Sequence, residues 1–528
     1  MQKFKKLLAL ILALVIIASL AACGAEKAPE TNAADETTTD GKKAEEPKAQ
    51  ELPFVTVTHH VMGDRPTNGQ WDIVQAKWNE KMKEKINAHM ELKWIEWADW
   101  YTKYNLILAS GEPIDMIHTS STWLDMWPNA QKGAFLTLDE LIPQYAPKTW
   151  AEIPAEHWEQ IKYEGKIIGF PENSYTQYVN HGIYYRGDWA KEFGITELIK
   201  DWDTMAKYFQ GIKDKKPGIV PWDAAGTLAA TYDGFILSET DAVDVRVGTG
   251  FHKIFWAKSY DDKFTIYSPI FEDSFVDYAK TMKEWGDKGY WREDVLNYKG
   301  DTRALMRAGK TGSDQHHNQT YRFLRTDMDK DQPGSELQMF AWCDTRNNLV
   351  GEPITHGATS IGANSKNAER AVMIYELLRQ DEEIYKLVNF GIEGTQYVIK
   401  DGKRAQPDGY DTTKHAYSSN FWGGRVDKFE IPTTTEYAGN REIWKRYDSF
   451  VKPFPYGKFI FDKTPVEAEL AALSDVTNQM GPAINFGKAG DPSKTVEEYR
   501  AKLKAAGYEK FLAELQKQMN DYKAKFGG

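Results

Sequence analysis

Apolar residues recur along this chain in two patterns, which predict alternating strands and helices. Short runs rich in β-branched and other apolar residues predict strands at 54–58, 92–95 and 114–117. Between the first two runs, Val74, Trp78 and Met82 are spaced four residues apart, which indicates an amphipathic helix. A second helical stretch covers 101–108. The order strand, helix, strand, helix, strand predicts a parallel sheet with helices on both faces.

Ligands of such sheets bind in the loops that follow the carboxyl ends of the strands. The sequence predicts these loops at His59-His60, near Trp97 and at 118–121. All three loops carry polar or aromatic side chains. We therefore expect a ligand site at this edge of the sheet.

The last part of the chain has the period of one amphipathic helix. Its apolar stripe consists of Tyr508, Phe511, Leu512, Leu515, Met519 and Tyr522. Lysines and glutamates occupy many of the positions between them. We expect this stripe to pack on the body of the same protein, in preference to binding a partner helix.

The first residues have the pattern of an export signal. Three lysines precede an apolar stretch from Leu7 to Leu20, which is too short to span a bilayer and has the length of a signal core. The segment Leu-Ala-Ala-Cys-Gly at 20–24 resembles a bacterial lipobox. We expect removal of residues 1–22 and acylation of Cys23, for example with palmitate. The alternative is an ordinary secretory signal with a chance cysteine.

A tether is predicted after the lipobox. Residues 25–51 contain almost no large apolar side chain, so they cannot bury enough surface to offset the entropy of ordering. Residues 23–51 are therefore read as a lipid anchor and a disordered tether. An anchored body with no second membrane span is expected to work at the extracellular face of the cell membrane.

Charge and cysteine content exclude other classes. The 528 residues include 66 Lys and Arg against 77 Asp and Glu, a net charge of −11, which argues against non-specific nucleic-acid binding. The two cysteines, Cys23 and Cys343, provide no disulfide framework. Cys343 lies in an apolar context and is predicted to be a buried core thiol.

Several segments together resemble one protein family. They lie at 109–117, 133–142, 165–171, 183–189, 361–371 and 459–518. In this order they resemble the extracellular solute-binding proteins (family 1 type) of carbohydrate-uptake ABC transporters. The end of the chain is similar to the aldouronate- and oligosaccharide-binding lipoproteins of Gram-positive bacteria. The resemblance covers nearly all of residues 52–528.

The resemblance implies a periplasmic-binding-protein-like α/β fold, with two α/β lobes, a hinge and a ligand cleft. The chain would cross between lobes near Pro171 to Tyr178, just before Ile354-Thr355, and at 405–420. Lobe one would comprise residues 52–173 and 352–410, and lobe two residues 174–351 and 411–528.

A sugar ring has an apolar face that aromatic side chains cover and a polar rim that charged and amide groups bind. At the strand ends of lobe one, the candidates are His59, His60, Asp64, Ser120, Ser121 and Trp123. The resemblance adds Tyr175, Arg186, Trp222, Asp223, His316, His317, Asn318, Trp422 and Arg425. Core packing is expected for Trp94, Trp97, Trp285 and Trp444.

An acidic oligosaccharide would need an arginine in the cleft, because a buried carboxylate must be paired. Arg186, Arg346 and Arg425 are candidates for that role. Whether the sugar bears a uronic acid stays open at this point.

Cofactors and metals are not expected. The pairs His59-His60 and His316-His317 are residue types that could bind zinc. Zinc, however, needs three or four converging ligands, and the chain has no CxxC. The segment 213–218 is too short for the calcium loop that some relatives carry.

These observations predict a lipid-anchored receptor that captures an oligosaccharide, performs no chemistry and delivers the sugar to ABC permease transmembrane subunits. The alternatives are a surface-tethered enzyme acting on glycosides, or a peptide or metal receptor on the same fold.

Overall fold

A computed structural model describes residues 52–97, 100–171, 181–226, 230–418 and 424–526. The predicted signal segment and tether, with Cys23, and the candidates Tyr175 and Trp422 lie outside the described residues. Within these ranges, none of the helices combines the length and apolar character needed to cross a membrane.

The strands, in chain order, are β1 Val55–Met62, β2 Ala88–Ile95, β3 Met116–Thr119, β4 Lys162–Tyr163, β5 Lys166–Ile167, β6 Phe170–Pro171, β7 His181–Arg186, β8 Val243–Asp244, β9 Trp256–Ala257, β10 Ile266–Tyr267, β11 Ser313–His317, β12 Leu337–Ala341, β13 Ala358–Ser360, β14 Val398–Lys400 and β15 Lys403–Ala405.

The α-helices in the first part of the chain are Gln70–Ile86, Trp100–Ala109, Met126–Gln131, Leu141–Tyr145, Pro147–Glu152, Ala155–Gln160, Gly187–Glu192, Trp202–Lys215, Ala230–Glu239 and Asp273–Asp287. Those that follow are Thr302–Arg307, Asn318–Asp331, Ala368–Gln380, Glu382–Phe390, Thr412–His415, Asn440–Asp448, Glu467–Asn485, Pro492–Ala505 and Tyr508–Phe526.

A five-stranded sheet with the order β2-β1-β3-β13-β6 organises the first core. β1 pairs in parallel with both β2 and β3, as the sequence predicts, and β13 is antiparallel to β3 and β6. The helix Gln70–Ile86 buries Val74, Trp78 and Met82, which confirms the predicted apolar face. The predicted helix at 101–108 is also present.

The first strand is longer than predicted. β1 continues to Met62, so His59 and His60 lie inside the strand and not in the loop after it. Val57, His59 and Val61 lie on the same buried face of the strand, because every second side chain of a strand points to the same side. The prediction that the loop begins at His59-His60 is therefore wrong.

A three-stranded antiparallel sheet with the order β11-β7-β12 belongs to the second core. In its register His181 faces His317, and Gly182 faces Ala341. Position 182 requires glycine, because a Cβ there would lie 2.2 Å from the carbonyl oxygen of Phe340. One end of this sheet thus carries His181, His316 and His317.

Two large sets of buried apolar side chains form around these sheets. The first contains residues from Val57 to Phe170 and from Ala358 to Val388. The second contains residues from Ile183 to Trp342 and from Tyr456 to Met519.

Part of the segment that follows residue 410 packs beside the first core. Tyr417 packs on Trp71 with ring centroids 5.8 Å apart, and Val426 packs with Tyr385 and Phe390. Further along the chain, Tyr437 packs against a cluster that contains Tyr184 of β7. Residues 411–418 and 424–431 therefore include side chains that pack beside the first core.

The C-terminal helix Tyr508–Phe526 packs on the second core. It buries Tyr508, Phe511, Leu515 and Met519, which confirms that the stripe packs on the body of the same protein. Cys343 is buried, as predicted.

Candidate functional site

A recess of about 180 Å³ opens at the histidine end of the three-stranded sheet. Its polar lining includes His181, Asp233, Asp244, Arg246, Lys253, Asn348 and Glu352, and its apolar lining includes Trp256, Trp342 and Phe454. His181 begins β7, and Glu352 lies between β12 and β13. The recess therefore lies where the chain leaves one sheet for the other.

Ion pairs connect the charged side chains of the recess. Lys253 Nζ lies 2.7 Å from Asp233 Oδ2 and 2.8 Å from Asp244 Oδ2. Arg246 Nη2 donates to both carboxylate oxygens of Glu352, at 2.7 and 2.8 Å. The side chain of Glu352 is only 5% exposed, whereas those of Arg246 and Lys253 are 31% and 38% exposed. The two cations thus present part of their surface to the recess.

Burial and neighbouring charges shift the pKa values of these groups. Burial raises the pKa of Asp233, although Lys253 opposes the shift. Burial also acts on Asp244, but Lys253 and Arg246 outweigh it and hold the pKa of that carboxyl below its ordinary value. Burial disfavours the charge of Lys253, yet Asp233 and Asp244 raise its pKa. Each carboxylate of the network thus lies within 2.8 Å of a cationic nitrogen.

The backbone of Arg246 has a positive φ of 60°. This left-handed conformation is uncommon for a side chain other than glycine, asparagine or aspartate. The side chain of Asp244 accepts a hydrogen bond from the backbone N–H of Arg246, which helps to hold it. Strained residues of this kind cluster at ligand sites.

His356 connects the recess to the end of β3 through one hydrogen bond and one longer contact. His356 Nδ1 lies 3.5 Å from Glu352 Oε2 and 2.6 Å from Thr122 Oγ1. The hydroxyls of Ser121 and Thr355 are 2.7 Å apart. The loop after β3 and the segment that enters β13 are therefore joined beside the recess.

Three tryptophans form an aromatic platform next to this link. Trp97 and Trp123 stack with ring centroids 6.1 Å apart, and Trp100 contacts both. Trp97 is 39% exposed, so part of its surface is open to solvent. Its backbone N–H donates to Asp64 at 3.1 Å. The platform follows β2 and β3, whose carboxyl ends lie at the same edge of the sheet.

Histidines occupy both sides of the site and are neutral near pH 7. Burial lowers the pKa of His181 to about 3 and that of His316 to about 4. The ring of His181 stacks on Trp342 with centroids 6.1 Å apart. Burial also lowers the pKa of His118, whose ring lies 5.8 Å from Trp123.

The structure brings together part of the predicted set. Ser120, Ser121 and Trp123 lie at the end of β3, and Asp64 supports the loop of Trp97. A second group of predicted residues, His316, His317 and Asn318, lies together where β11 ends and the next helix begins.

Other predicted residues lie elsewhere. Trp222 is completely buried and stacks with Phe209, so its ring has no face open to a ligand. Asp223 is buried beside it and pairs with Arg292 at 3.4 Å. Both pack in or beside the second core because the apolar segment before them enters it.

Two of the three predicted arginines, Arg186 and Arg425, also lie outside the lining of the recess. Arg186 ends β7 five residues after His181, about 17 Å along the strand. It pairs with Asp188, and Arg425 pairs with Asp427.

Sequence reasoning missed most of the recess. The sequence patterns do not indicate Asp233, Asp244, Arg246, Lys253 or Glu352 in the recess or His356 beside it, and they predict core packing for Trp97 of the platform. One usable signal was present, because Trp97 and Trp100 follow one parallel strand and Trp123 follows another. The ion pair between Arg246 and Glu352 joins residues that are 106 positions apart, and no local pattern predicts it.

No group of three His, Cys, Asp or Glu side chains within the described ranges is arranged to hold a metal ion. Imidazole and carboxylate are common zinc ligands. Here the buried carboxylates bind lysine and arginine, and the histidines contact one another, tryptophan and hydroxyl groups.

Comparison with known proteins assigns the family. Residues 70–390 match the family model of the bacterial extracellular solute-binding proteins, and residues 455–524 match a domain of unknown function. The chain therefore belongs to the bacterial extracellular solute-binding proteins. This confirms the resemblance, the two-lobe fold and the prediction of an extracellular binding protein that is not an enzyme.

Individual relatives extend over the whole folded part. The chain is 25% identical over 518 residues, 96% of each chain, to a carbohydrate ABC transporter substrate-binding protein of Streptococcus pneumoniae. It is similar in structure to an N-glycan transport solute-binding protein of the same species, with a TM-score of 0.71 and 22% identity over 88% of this chain and 98% of the other. The complex of that protein with Man5GlcNAc gives a TM-score of 0.66, at 21% identity over 89% and 99% of the two chains.

Proposed function

We propose that this protein is a lipid-anchored receptor that captures an oligosaccharide in the cleft between its lobes and delivers it to the transmembrane subunits of an ABC importer. The observation that carries this proposal is the aromatic platform joined to a polar recess through Thr122 and His356. The carbohydrate-transport relative, aligned over nearly the whole chain, supports the same ligand class.

The two parts of the site match the two surfaces of a sugar. The exposed part of Trp97 offers apolar surface for the C–H face of a ring. Asp233, Arg246 and Lys253 offer acceptors and donors for the hydroxyl rim. Closure of the lobes would exclude water and strengthen these hydrogen bonds.

The lobe boundaries are part of the proposal. The first crossing lies between β6 and β7, and the second between β12 and β13. The packing of Tyr417 and Val426 beside the first core favours a third crossing after Ile431 and before Tyr437. We therefore propose that lobe one extends beyond residue 410.

The test of the ligand class is calorimetric titration of the purified protein with manno-, N-acetylglucosamine-, fructo-, xylo- and gluco-oligosaccharides. Saturable binding to one class is expected. Trp97→Ala should weaken it about tenfold or more, since covering one ring face is worth about 1.5 kcal/mol. Trp150→Ala is the matched control, because Trp150 is equally exposed at 38% but packs on Trp158.

Failure of every sugar to bind would contradict the proposal. An equal loss of sugar affinity in Trp97→Ala and Trp150→Ala would show that the platform does not contribute to sugar binding.

The anchor has its own test. Cys23→Ser should release the protein from cells into the medium and abolish labelling by a fatty-acid analogue. Cys343→Ser changes the other cysteine and should leave the protein on the membrane. Retention of Cys23→Ser on the membrane would contradict lipid anchoring.

A further inference from the structure

The recess contains more carboxylates than cations. Asp233, Asp244 and Glu352 contribute three negative charges, and Arg246 and Lys253 contribute two positive charges. Burial lowers the pKa of the flanking His181 and adds no compensating charge near neutral pH. The lining therefore carries a net charge of about −1 when its acids and bases are ionised.

Both cations are already engaged. Arg246 holds Glu352 with two hydrogen bonds from one nitrogen, and Lys253 lies between Asp233 and Asp244. A carboxylate on a ligand would therefore meet cations whose charge protein carboxylates already balance, and it would gain no unpaired positive charge. It would also add a second excess negative charge to an enclosed space, where like charges repel strongly.

Hydrogen-bonding groups nevertheless remain for an uncharged ligand. Within the described ranges, Arg246 Nη1 and the indole N–H of Trp342 have no hydrogen-bond partner. The ammonium of Lys253 has three N–H groups and contacts two carboxylates, which leaves a third donor. A sugar hydroxyl can accept from these donors and donate to a carboxylate at the same time.

The arginines that the sequence suggested for an acidic sugar do not line the recess. Arg186 pairs with Asp188, Arg346 with Asp241 and Arg425 with Asp427. Each of these carboxylates lies close in the fold to its arginine and outside the recess.

We propose, on the basis of the proposed function, that the recess accepts uncharged, hydroxyl-bearing sugar rings and rejects rings that carry a carboxylate. The ion-paired network acts as a charge filter. Asp233 is its most accessible acid, because its side chain lies on the helix Ala230–Glu239 and pairs only with Lys253.

The test compares sugars that differ only in the oxidation of C6. Titration of the full protein uses β-1,4-mannotetraose against β-1,4-tetramannuronate, cellotetraose against β-1,4-tetraglucuronate, and α-1,4-galactotetraose against α-1,4-tetragalacturonate. In each pair that binds, the uronate should bind at least about tenfold more weakly than the neutral sugar.

A pair of variants tests the recess itself. Asp233→Asn makes the numbers of carboxylates and cations equal and frees Lys253 for a ligand carboxylate, so the neutral-to-acidic affinity ratio should fall about tenfold. Asp241→Asn removes an exposed carboxylate that pairs with Arg346 outside the recess, and should leave the ratio unchanged.

Tighter or equal binding of a uronate to the unmodified protein would overturn the inference and leave sugar binding intact. The same holds if no neutral member of the three pairs binds while a uronate does. If no sugar in this set or in the broader panel binds, the proposed function fails with it. The affinities of the unmodified protein for neutral and acidic sugars test the inference even if Asp233→Asn does not fold.

Discussion

Glu352 combines deep burial with an ion pair to the strained Arg246. Both of its oxygens accept from one guanidinium nitrogen, and the second oxygen also lies 3.5 Å from His356. This side chain therefore joins the recess to the loop after β3. Removing its charge leaves the guanidinium of Arg246 without its closest carboxylate in a region of low dielectric, which is costly.

Glu352→Gln should lower the free energy of unfolding by about 3 kcal/mol, because it breaks a buried ion pair on one side only. Urea denaturation measures this change. Asp241→Asn, which breaks an exposed ion pair with Arg346, should cost less than about 1 kcal/mol. Equal effects of the two substitutions would mean that the Glu352 pair is not protected from water.

Buried histidines make the stability depend on pH. Burial lowers the pKa of His59 to about 3, and its neighbours His118 and His60 also disfavour its charge. The pKa of an unfolded histidine is 6.5, so between these values the unfolded chain binds more protons. Stability is therefore complete above pH about 6.5 and decreases as the pH falls toward 3.

His59→Gln should make this decrease shallower by about 1.4 kcal/mol per pH unit well below pH 6.5, because one proton fewer is taken up on unfolding. Denaturant titrations between pH 7 and pH 4.5 measure the slope. Parallel curves for the variant and the unmodified protein would show that His59 is not kept neutral in the fold.

At the scale of secondary structure, the helix Tyr508–Phe526 offers a direct test of packing. Leu515 is fully buried against the second core, while Leu512 on the same helix is only partly buried. Leu515→Ala should cost about 3 kcal/mol of stability, and Leu512→Ala less than about 1.5 kcal/mol. Thermal and urea unfolding give both values. A larger effect at Leu512 would indicate that the stripe faces a different surface.

The strands and helices of the first sheet could be predicted because their side chains follow simple periods. β-branched runs identify β1 and β2, and Trp78 with its neighbours identifies the helix between them. The end of β1 could not be predicted, because His59 and His60 look like loop residues. The structure shows that His59 shares a buried face of the strand with Val57 and Val61, which no local pattern predicts for a histidine.

The site was harder to predict than the fold. Trp123 and Ser121 follow a predictable strand, so strand order places them at the sheet edge. The recess depends on Glu352 and Arg246, which are more than 100 residues apart in the sequence, so no local pattern relates them. Trp222 carries no local feature that distinguishes a core tryptophan from one in a cleft.

At the scale of the whole molecule, a ligand that contacts both the platform and the recess should couple the two cores. A sugar at 100 times its Kd should raise the free energy of unfolding by about 2.7 kcal/mol. Calorimetric unfolding with and without sugar measures this shift, and Trp97→Ala at the same sugar concentration should show a smaller one. No shift at a concentration that saturates binding would be inconsistent with a ligand held by the folded state.

The central claim is that one oligosaccharide spans the platform and the recess. A crystal structure of the protein with the tightest-binding neutral sugar of the titration panel tests it most directly. We predict one ring against Trp97 and another with its hydroxyls bonded to Lys253, Arg246 or Asp233. A sugar bound on a surface that includes neither group would contradict this account of the site.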